Sequence, residues 1–126
     1  MKKVILVADD SPTIRKFVSV ALSVKGFEII SCADGMEAIE KFESNSDKID
    51  IIVMDMVMPK KSGKEAYAEI RKLRPDVKVL FMSGYSPDLL HNKGILNNDE
   101  QRLIKPLQPL DFVRKVRSML DHKESI

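Results

Sequence analysis

Three carboxylates, a hydroxyl and an ammonium stand where apolar runs of this chain give out. Asp9 and Asp10 follow "LVA", Asp55 follows "IIVM", Ser83 and Gly84 follow "VLFM", and Lys105, with Pro106 after it, follows "RLI". Two adjacent acids at the end of an apolar segment are costly, because mutual repulsion and removal from water both oppose their charge. A bound cation removes that cost. Mg2+ suits such a set: it takes oxygen ligands in octahedral geometry, usually a few carboxylates, waters and a substrate phosphate. Taken singly, each signal is weak. Acids after a strand are more often turn or cap residues than metal ligands, and a lysine before a helix is more often simply solvated.

The chemistry therefore depends on the elements that carry these groups. Four segments have the continuous apolar, β-branched character of strands covered on both faces: "KVILVA" (3–8), "FEIISC" (27–32), "IDIIVM" (49–54) and "VKVLFM" (77–82). A fifth, "RLI" (102–104), is short and less distinct. Between them lie helical patterns. Ile14, Phe17, Val18, Ala21 and Leu22 form an apolar stripe after a Ser11 N-cap and Pro12, and Gly26 stops that helix. A second helix follows Asp34-Gly35 and buries Ala38, Ile39 and Phe42; a third begins near Ser62-Gly63, carries Ala66, Ile70 and Leu73 inward, and ends before Pro75. The last runs from about Pro109 to His122, with Val113, Val116 and Leu120 inward. Pro87, Gly94 and "NNDE" break up the stretch 86–101, where a short helix and a mobile loop are expected.

Strands alternating with helices imply βαβ units with right-handed crossovers and a parallel sheet. In such a sheet, ligands sit beyond the carboxyl ends of the strands. The order 2-1-3-4-5, the flavodoxin-like doubly wound (βα)5 sandwich, brings the ends of strands 1, 3, 4 and 5 together, and with them the three acids, Ser83-Gly84 and Lys105. Strand 2 ends in "CADG", whose Asp34 has an easy alternative as a turn or N-cap residue.

With 126 residues the chain is expected to be one domain, residues 1–126 with a core of about 3–120. Hydrophobic residues at 44% and charged ones at 32% fit a globular fold, and no apolar run is long enough to span a bilayer. "MKKVILVADD" begins like a secretory leader but reaches acid without a small-residue cleavage site, so it reads as a first strand and the protein as cytoplasmic. One cysteine, Cys32, permits no internal disulfide and reads as a small buried residue. With 21 basic and 19 acidic residues spread along the chain there is no electrostatic case for nucleic acid; "RKVR" (114–117) reads as a solvated helix face. The methionines, including Met54, Met56, Met58 and Met82, read as gap fillers, and isolated His91 and His122 support no catalysis.

"DDS" after strand 1, "MDMVMPKKSG" around Asp55, "MSGYS" after strand 4 and "KP" at 105–106 stand in the order and spacing of a known family. Over about residues 3–120 the chain resembles the receiver domains of two-component response regulators. Its first half looks like stand-alone chemotaxis-type regulators and its second like receivers of hybrid histidine kinases. The resemblance implies that Asp55 is a phosphoacceptor, served by a histidine kinase, an Hpt domain or a small acyl phosphate. It also implies that Asp10 and Asp55 bind Mg2+ directly, with Asp9 ligating or acting through a water and the Val57 carbonyl adding a ligand. Lys105 would neutralise one phosphoryl oxygen, and the Ser83 hydroxyl with the Gly84 amide would hold another. The Lys105-Pro106 bond is usually cis in the family, which would aim the ammonium into the pocket. Ser83 would also be the switch, drawn toward the phosphoryl group to alter the surface of the last two strand-helix units.

Two positions depart from the pattern. Where the family often has an aromatic residue whose rotamer follows the switch, this chain has Arg102, leaving Tyr85 as the nearest aromatic candidate. Val57, two residues after Asp55, cannot orient an attacking water as an amide or acid there could, so slow hydrolysis of the phosphorylated form is expected. The domain is then no enzyme beyond its own phosphorylation and dephosphorylation. Its output would be protein contact, with the region 86–120 the expected surface for an output partner or a homodimer. The rival readings are a pseudo-receiver that only binds partners, a Mg-dependent aspartyl-nucleophile phosphatase and a flavodoxin-like cofactor carrier. The phosphatase wants an acid at Val57, and the carrier wants a glycine-rich phosphate loop where Asp9 and Asp10 stand.

Overall fold

The computed structural model describes residues 2–83, 101–104 and 109–121, and within them follows the alternation read from the sequence. The elements are β1 (Val4–Ala8), α1 (Pro12–Ser23), β2 (Glu28–Cys32), α2 (Gly35–Asn45), β3 (Ile49–Asp55), α3 (Gly63–Leu73), β4 (Lys78–Ser83), β5 (Gln101–Ile104) and α4 (Pro109–Asp121). Gly84, Tyr85, Lys105, Pro106, the expected helix and loop of 86–100, and both histidines lie outside the described residues.

Helix starts are set by side-chain oxygens that take otherwise unpaired backbone N–H groups. Ser11 Oγ accepts from Ile14 N at 3.3 Å, with Pro12 at the first helical position, and Asp34 Oδ1 accepts from Glu37 N at 2.8 Å. Ser62 and Glu65 form a reciprocal capping box, with Glu65 N to Ser62 Oγ at 3.1 Å and Ser62 N to Glu65 Oε1 at 3.0 Å. These hydrogen bonds hold the Glu65 carboxyl below its usual range, the Ser62 amide first among them. Gly26, with φ 94°, follows α1 as expected.

The five strands are all parallel, in the order β2-β1-β3-β4-β5. Their alternating side chains feed two cores. Val4, Leu6, Ala8, Ile52, Met54, Val79 and Phe81 pack with Ala38 and Phe42 of α2 and with Ala66, Tyr67 and Ile70 of α3. Ile5, Val7, Ile51, Val53, Leu80 and Met82 pack with Val18 and Leu22 of α1 and with Val116 of α4. The methionines singled out in the sequence are all buried, as gap fillers should be.

Two expectations fail locally. β2 is not covered on both faces: Glu28 and Ser31 are exposed and Ile29 and Ile30 only half-buried, because this strand lies outside β1 at the border of the sheet. Leu73 is 49% exposed rather than inward, while Tyr67 is buried in its place. The Tyr67 ring meets Phe81 edge-on, 5.7 Å between centroids, and its hydroxyl donates to Val77 O at 3.3 Å. Cys32 is buried at the end of β2, and burial pushes its thiol up to about 12.

Polar side chains secure the ends opposite the acids. The pairing of β1 with β3 slips one residue at Val4/Ile5, leaving Asp50 as the extra residue, and its Oδ2 accepts from Val4 N at 2.7 Å. Lys78 Nζ donates to Met119 O at 2.6 Å, placing a cation on the last turn of α4 where the helix dipole favours it. Arg74 Nη1 donates at 2.6 Å to both Ser46 O and Ile49 O, tying the end of α3 to the turn between α2 and β3. Its contact with the exposed Asp76, 3.4 Å, contributes little. Arg74→Ala removes two charge-assisted hydrogen bonds and is expected to lower stability by about 2–3 kcal/mol in urea unfolding. A change below about 0.5 kcal/mol would mean that water replaces the guanidinium at both carbonyls.

Candidate functional site

At the carboxyl end of the sheet, β1 passes directly into Asp9 and β3 ends in Asp55, two buried charged residues at the edge of the apolar core. Asp10 is exposed. One carboxylate oxygen from each of the three lies within 4.8 Å of the others. Asp9 is fixed by its surroundings: its N–H donates to Cys32 O at 3.2 Å, its Oδ1 accepts from Ser11 N at 2.9 Å, and its carbonyl accepts from Arg15 Nη1 at 2.7 Å. The cap that starts α1 and the turn that aims Asp9 are thus one structure.

Asp55 is held from below by the loop that follows it. Met56 N donates to Met82 O at 3.1 Å, extending the β3–β4 ladder, and Gly63 N donates to Met56 O at 2.9 Å, folding the loop back on the strand. Gly63 is packed so closely on the Asp55 carbonyl that a Cβ there would collide with it. Val57 N lies 3.5 Å from Asp55 Oδ1, and its side chain, 61% exposed, presents only methyl groups beside the acids.

Between these points the chain makes a tight turn at Lys60, which has φ 69°, while Lys61 N donates to Pro59 O at 2.8 Å. A side chain in the left-handed region costs about 1–2 kcal/mol. The Lys60 ammonium reaches Asp34 at 3.5 Å, and the Asp34 carboxyl lies below its ordinary range chiefly because the Glu37 amide donates to it. Asp34 is therefore the α2 cap, the alternative that the sequence left open, and not a member of the acid cluster. Lys60→Gly is expected to raise stability by about 0.5–1 kcal/mol, the relieved strain less the added freedom of the unfolded chain. Lys60→Ala, which keeps the strain and loses the ion pair, should not raise it; equal gains in both would place the effect elsewhere.

Ser83 ends β4 next to Met82, the register partner of Asp55, and pairs with Ile104, the last residue of β5. The strands that carry Ser83 and lead to Lys105 therefore finish at the same end of the sheet as the acids. Arg102 lies in β5, paired with Phe81. Arg15, Lys60 and Gly63 were not singled out as site residues in the sequence. Only "SG" before a helix hinted at one of them, since Arg15 acts on a backbone carbonyl and Lys60 through a backbone angle.

The acids fit a divalent cation. Oxygens on opposite sides of an octahedral Mg2+ lie about 4.2 Å apart, so three carboxylates spread over 4.8 Å need only a small closure or an intervening water. The sequence profile of the response regulator receiver domain matches residues 5–117. The chain belongs to the response regulator receiver family.

Relatives of this receiver include the chemotaxis protein CheY of Treponema pallidum, 30% identical over 117 residues that cover 92% of this chain and 81% of that protein. The sensor kinase CckA of Brucella abortus is 31% identical over 120 residues, 95% of this chain but 13% of the kinase. The chain spans about half the length of other relatives, such as the probable transcriptional regulator ycf27 of Porphyridium aerugineum, where the match is 32% over 94% of this chain and 48% of that protein. Among solved structures, CheY in the CheX-CheY-BeF3-Mg2+ complex of Borrelia burgdorferi superposes with a TM-score of 0.85, at 27% identity over 95% of this receiver and 90% of that chain. The receiver domain of the hybrid histidine kinase CckA gives 0.81, at 26% identity over 94% and 99%. Likeness to the chemotaxis and hybrid-kinase branches thus runs through both halves of the chain. Receiver domains are signalling modules of two-component systems, working with histidine kinases and output partners. Among the described residues no helix is long and apolar enough to cross a membrane.

Proposed function

We propose that this receiver accepts a phosphoryl group on Asp55 from a histidine kinase, an Hpt domain or a small acyl phosphate, in the presence of Mg2+, and switches a protein-interaction surface in response. The observation that carries the reading is the convergence of Asp9, Asp10 and Asp55 within 4.8 Å at the carboxyl end of the sheet, where open α/β folds bind ligands. A CheY solved together with BeF3 and Mg2+ has the same fold, which supports it.

Asp55 is the nucleophile in this reading. Its carboxylate oxygen forms a bond to phosphorus while the bond from phosphorus to the donor's imidazole nitrogen or acyl oxygen breaks, and the donor leaves with the electron pair. Mg2+ held by Asp9, Asp10, Asp55 and the Val57 carbonyl would supply neutralisation of the charge that gathers on the phosphoryl oxygens. Arg15 and the Ser11 amide keep Asp9 in place while this happens. Lys105 and the Ser83-Gly84 pair take the roles that the family resemblance gives them, as ammonium and hydrogen-bond donors to two phosphoryl oxygens. Movement of Ser83 would then reshape the surface formed by 86–120, the proposed contact for an output partner or a second copy of the chain.

Val57 controls the return step. With no polar atom to seat a water beside the aspartyl phosphate, the phosphorylated form should persist for minutes or longer, and Val57→Asn should shorten its life about tenfold or more by positioning that water. A wild-type lifetime of seconds with Mg2+ would contradict this.

The decisive test is intact mass after incubation with acetyl phosphate. One added phosphoryl group that requires both Mg2+ and Asp55, lost in Asp55→Asn and with a chelator, supports the proposal. No gain in a folded protein that binds Mg2+ and meets a competent histidine kinase would leave a pseudo-receiver.

A further inference from the structure

The end of the sheet away from the acids carries a second concentration of charge, of opposite sign. Lys2 and Lys3 before β1, Lys25 before β2 and Arg117 on α4 line a hollow of about 530 Å3 together with Gly26, Phe27 and Leu120. Among the described residues its lining holds four cations and no carboxylate, in a chain whose net charge is only +2. These cations come from three separate segments, so the cluster is a product of the fold; Arg114 and Arg117 of "RKVR" are exposed as a solvated helix face should be, and of that run only Arg117 lines the hollow.

We infer that this hollow binds a small organic phosphate, that is, a phosphoryl group carried on a ring or another apolar body. Like charges gathered around one concavity repel one another, and a bound anion relieves that repulsion just as a cation would among the acids. Its volume falls within the range of small-molecule sites, about 300–1,000 Å3. The Arg117 guanidinium lies over the Phe27 ring, 5.8 Å from its centroid, a contact that holds its planar fork ready for two phosphate oxygens. Phe27 and Leu120, both half-buried, give the hollow an apolar wall for the rest of the ligand. A lipid headgroup shares the phosphate chemistry, but a concave site backed by side chains suits a free molecule better than a membrane plane.

The test uses the whole chain in EDTA, so that no cation can recruit phosphate to the acids. ADP, adenosine and inorganic phosphate are titrated by calorimetry and followed by backbone amide shifts. ADP is expected to bind at least tenfold more tightly than inorganic phosphate, and adenosine not detectably. The shifts should centre on Lys2, Lys3, Lys25 to Phe27, Arg117 and Leu120. Lys25→Ala with Arg117→Ala, both exposed positions, should weaken ADP binding at least tenfold in a protein that still unfolds in one cooperative thermal transition. Arg117→Lys, which keeps the charge but not the fork, should lose most of that factor. The inference is overturned if ADP fails to bind at millimolar concentration or its shifts centre on Asp9, Asp10 and Asp55. It is also overturned if phosphate matches ADP, which marks an ordinary counter-ion patch, or if the chain sediments with phosphatidylserine vesicles while ignoring ADP.

Discussion

Gly63→Ala is expected to destabilise the receiver by about 2–3 kcal/mol and to slow phosphorylation of Asp55 at least tenfold, although residue 63 never meets the phosphoryl group. The new methyl would strike the Asp55 carbonyl and come within 3.0 Å of Met56 Cα, both of them backbone. A backbone neighbour cannot swing away as a flexible side chain can, so either α3 retreats or the end of β3 is pushed out of line. Retreat of α3 also strains the Gly63 to Met56 hydrogen bond that closes the loop. Displacement of the reacting carboxylate by about an ångström is enough to cost one or two powers of ten in rate. Urea unfolding measures the first effect, and the initial rate of mass gain with acetyl phosphate, scaled to folded protein, measures the second. A destabilised variant that still reacts at the wild-type rate would show that α3 yields and the strand does not.

Asp10→Asn is expected to separate two consequences of crowding the acids together. Without divalent ions the variant should be more stable than the wild type by about 1 kcal/mol, the repulsion of an exposed carboxylate at such separations in a medium close to water. With Mg2+ the order should close or reverse. Wild-type protein gains about 1.4 kcal/mol at a Mg2+ concentration ten times its Kd, and a chain that has lost one of its carboxylate ligands should gain almost nothing. Asn has nearly the shape of Asp, and residue 10 lies in the exposed mouth of the site, so packing loss does not confuse the comparison. Unfolding midpoints with EDTA and with Mg2+ decide the matter. Equal stabilisation of both proteins by Mg2+ would remove Asp10 from the ligand set.

What the sequence disclosed about this receiver follows from how far each signal reaches along the chain. Ser11, Asp34 and Ser62 were legible as helix starts because a cap is a contact over three residues. The strand order was legible because the flavodoxin-like order 2-1-3-4-5 sets the four strands that end in reactive groups side by side, with β2 outside them. Leu73 was misplaced for a reason of phase: Ala66 and Ile70 belong both to a stripe that continues to Leu73 and to one that includes Gly63 and Tyr67. Only packing in the folded chain chooses between them, and it buries Tyr67 and leaves Leu73 exposed. β2 looked fully buried because apolar content does not tell a central strand from a border one. Lys60 was invisible because its role is a backbone angle that its residue type does not favour. The basic hollow was invisible because lysines at 2, 3 and 25 and an arginine at 117 are neighbours only after folding.

The border position of β2 has a consequence for behaviour at high concentration. One rail of its N–H and C=O groups is not paired to another strand of the described sheet, and such a rail can recruit a strand from another molecule. The chain limits this hazard by keeping β2 to five residues and by opening it with the exposed Glu28. Two copies docked rail to rail would gain few hydrogen bonds, and each would carry the Glu28 charge to the rim of that seam. Neutralising residue 28 should therefore lower the concentration at which this receiver forms insoluble assemblies, a change read by light scattering on storage and independent of phosphorylation.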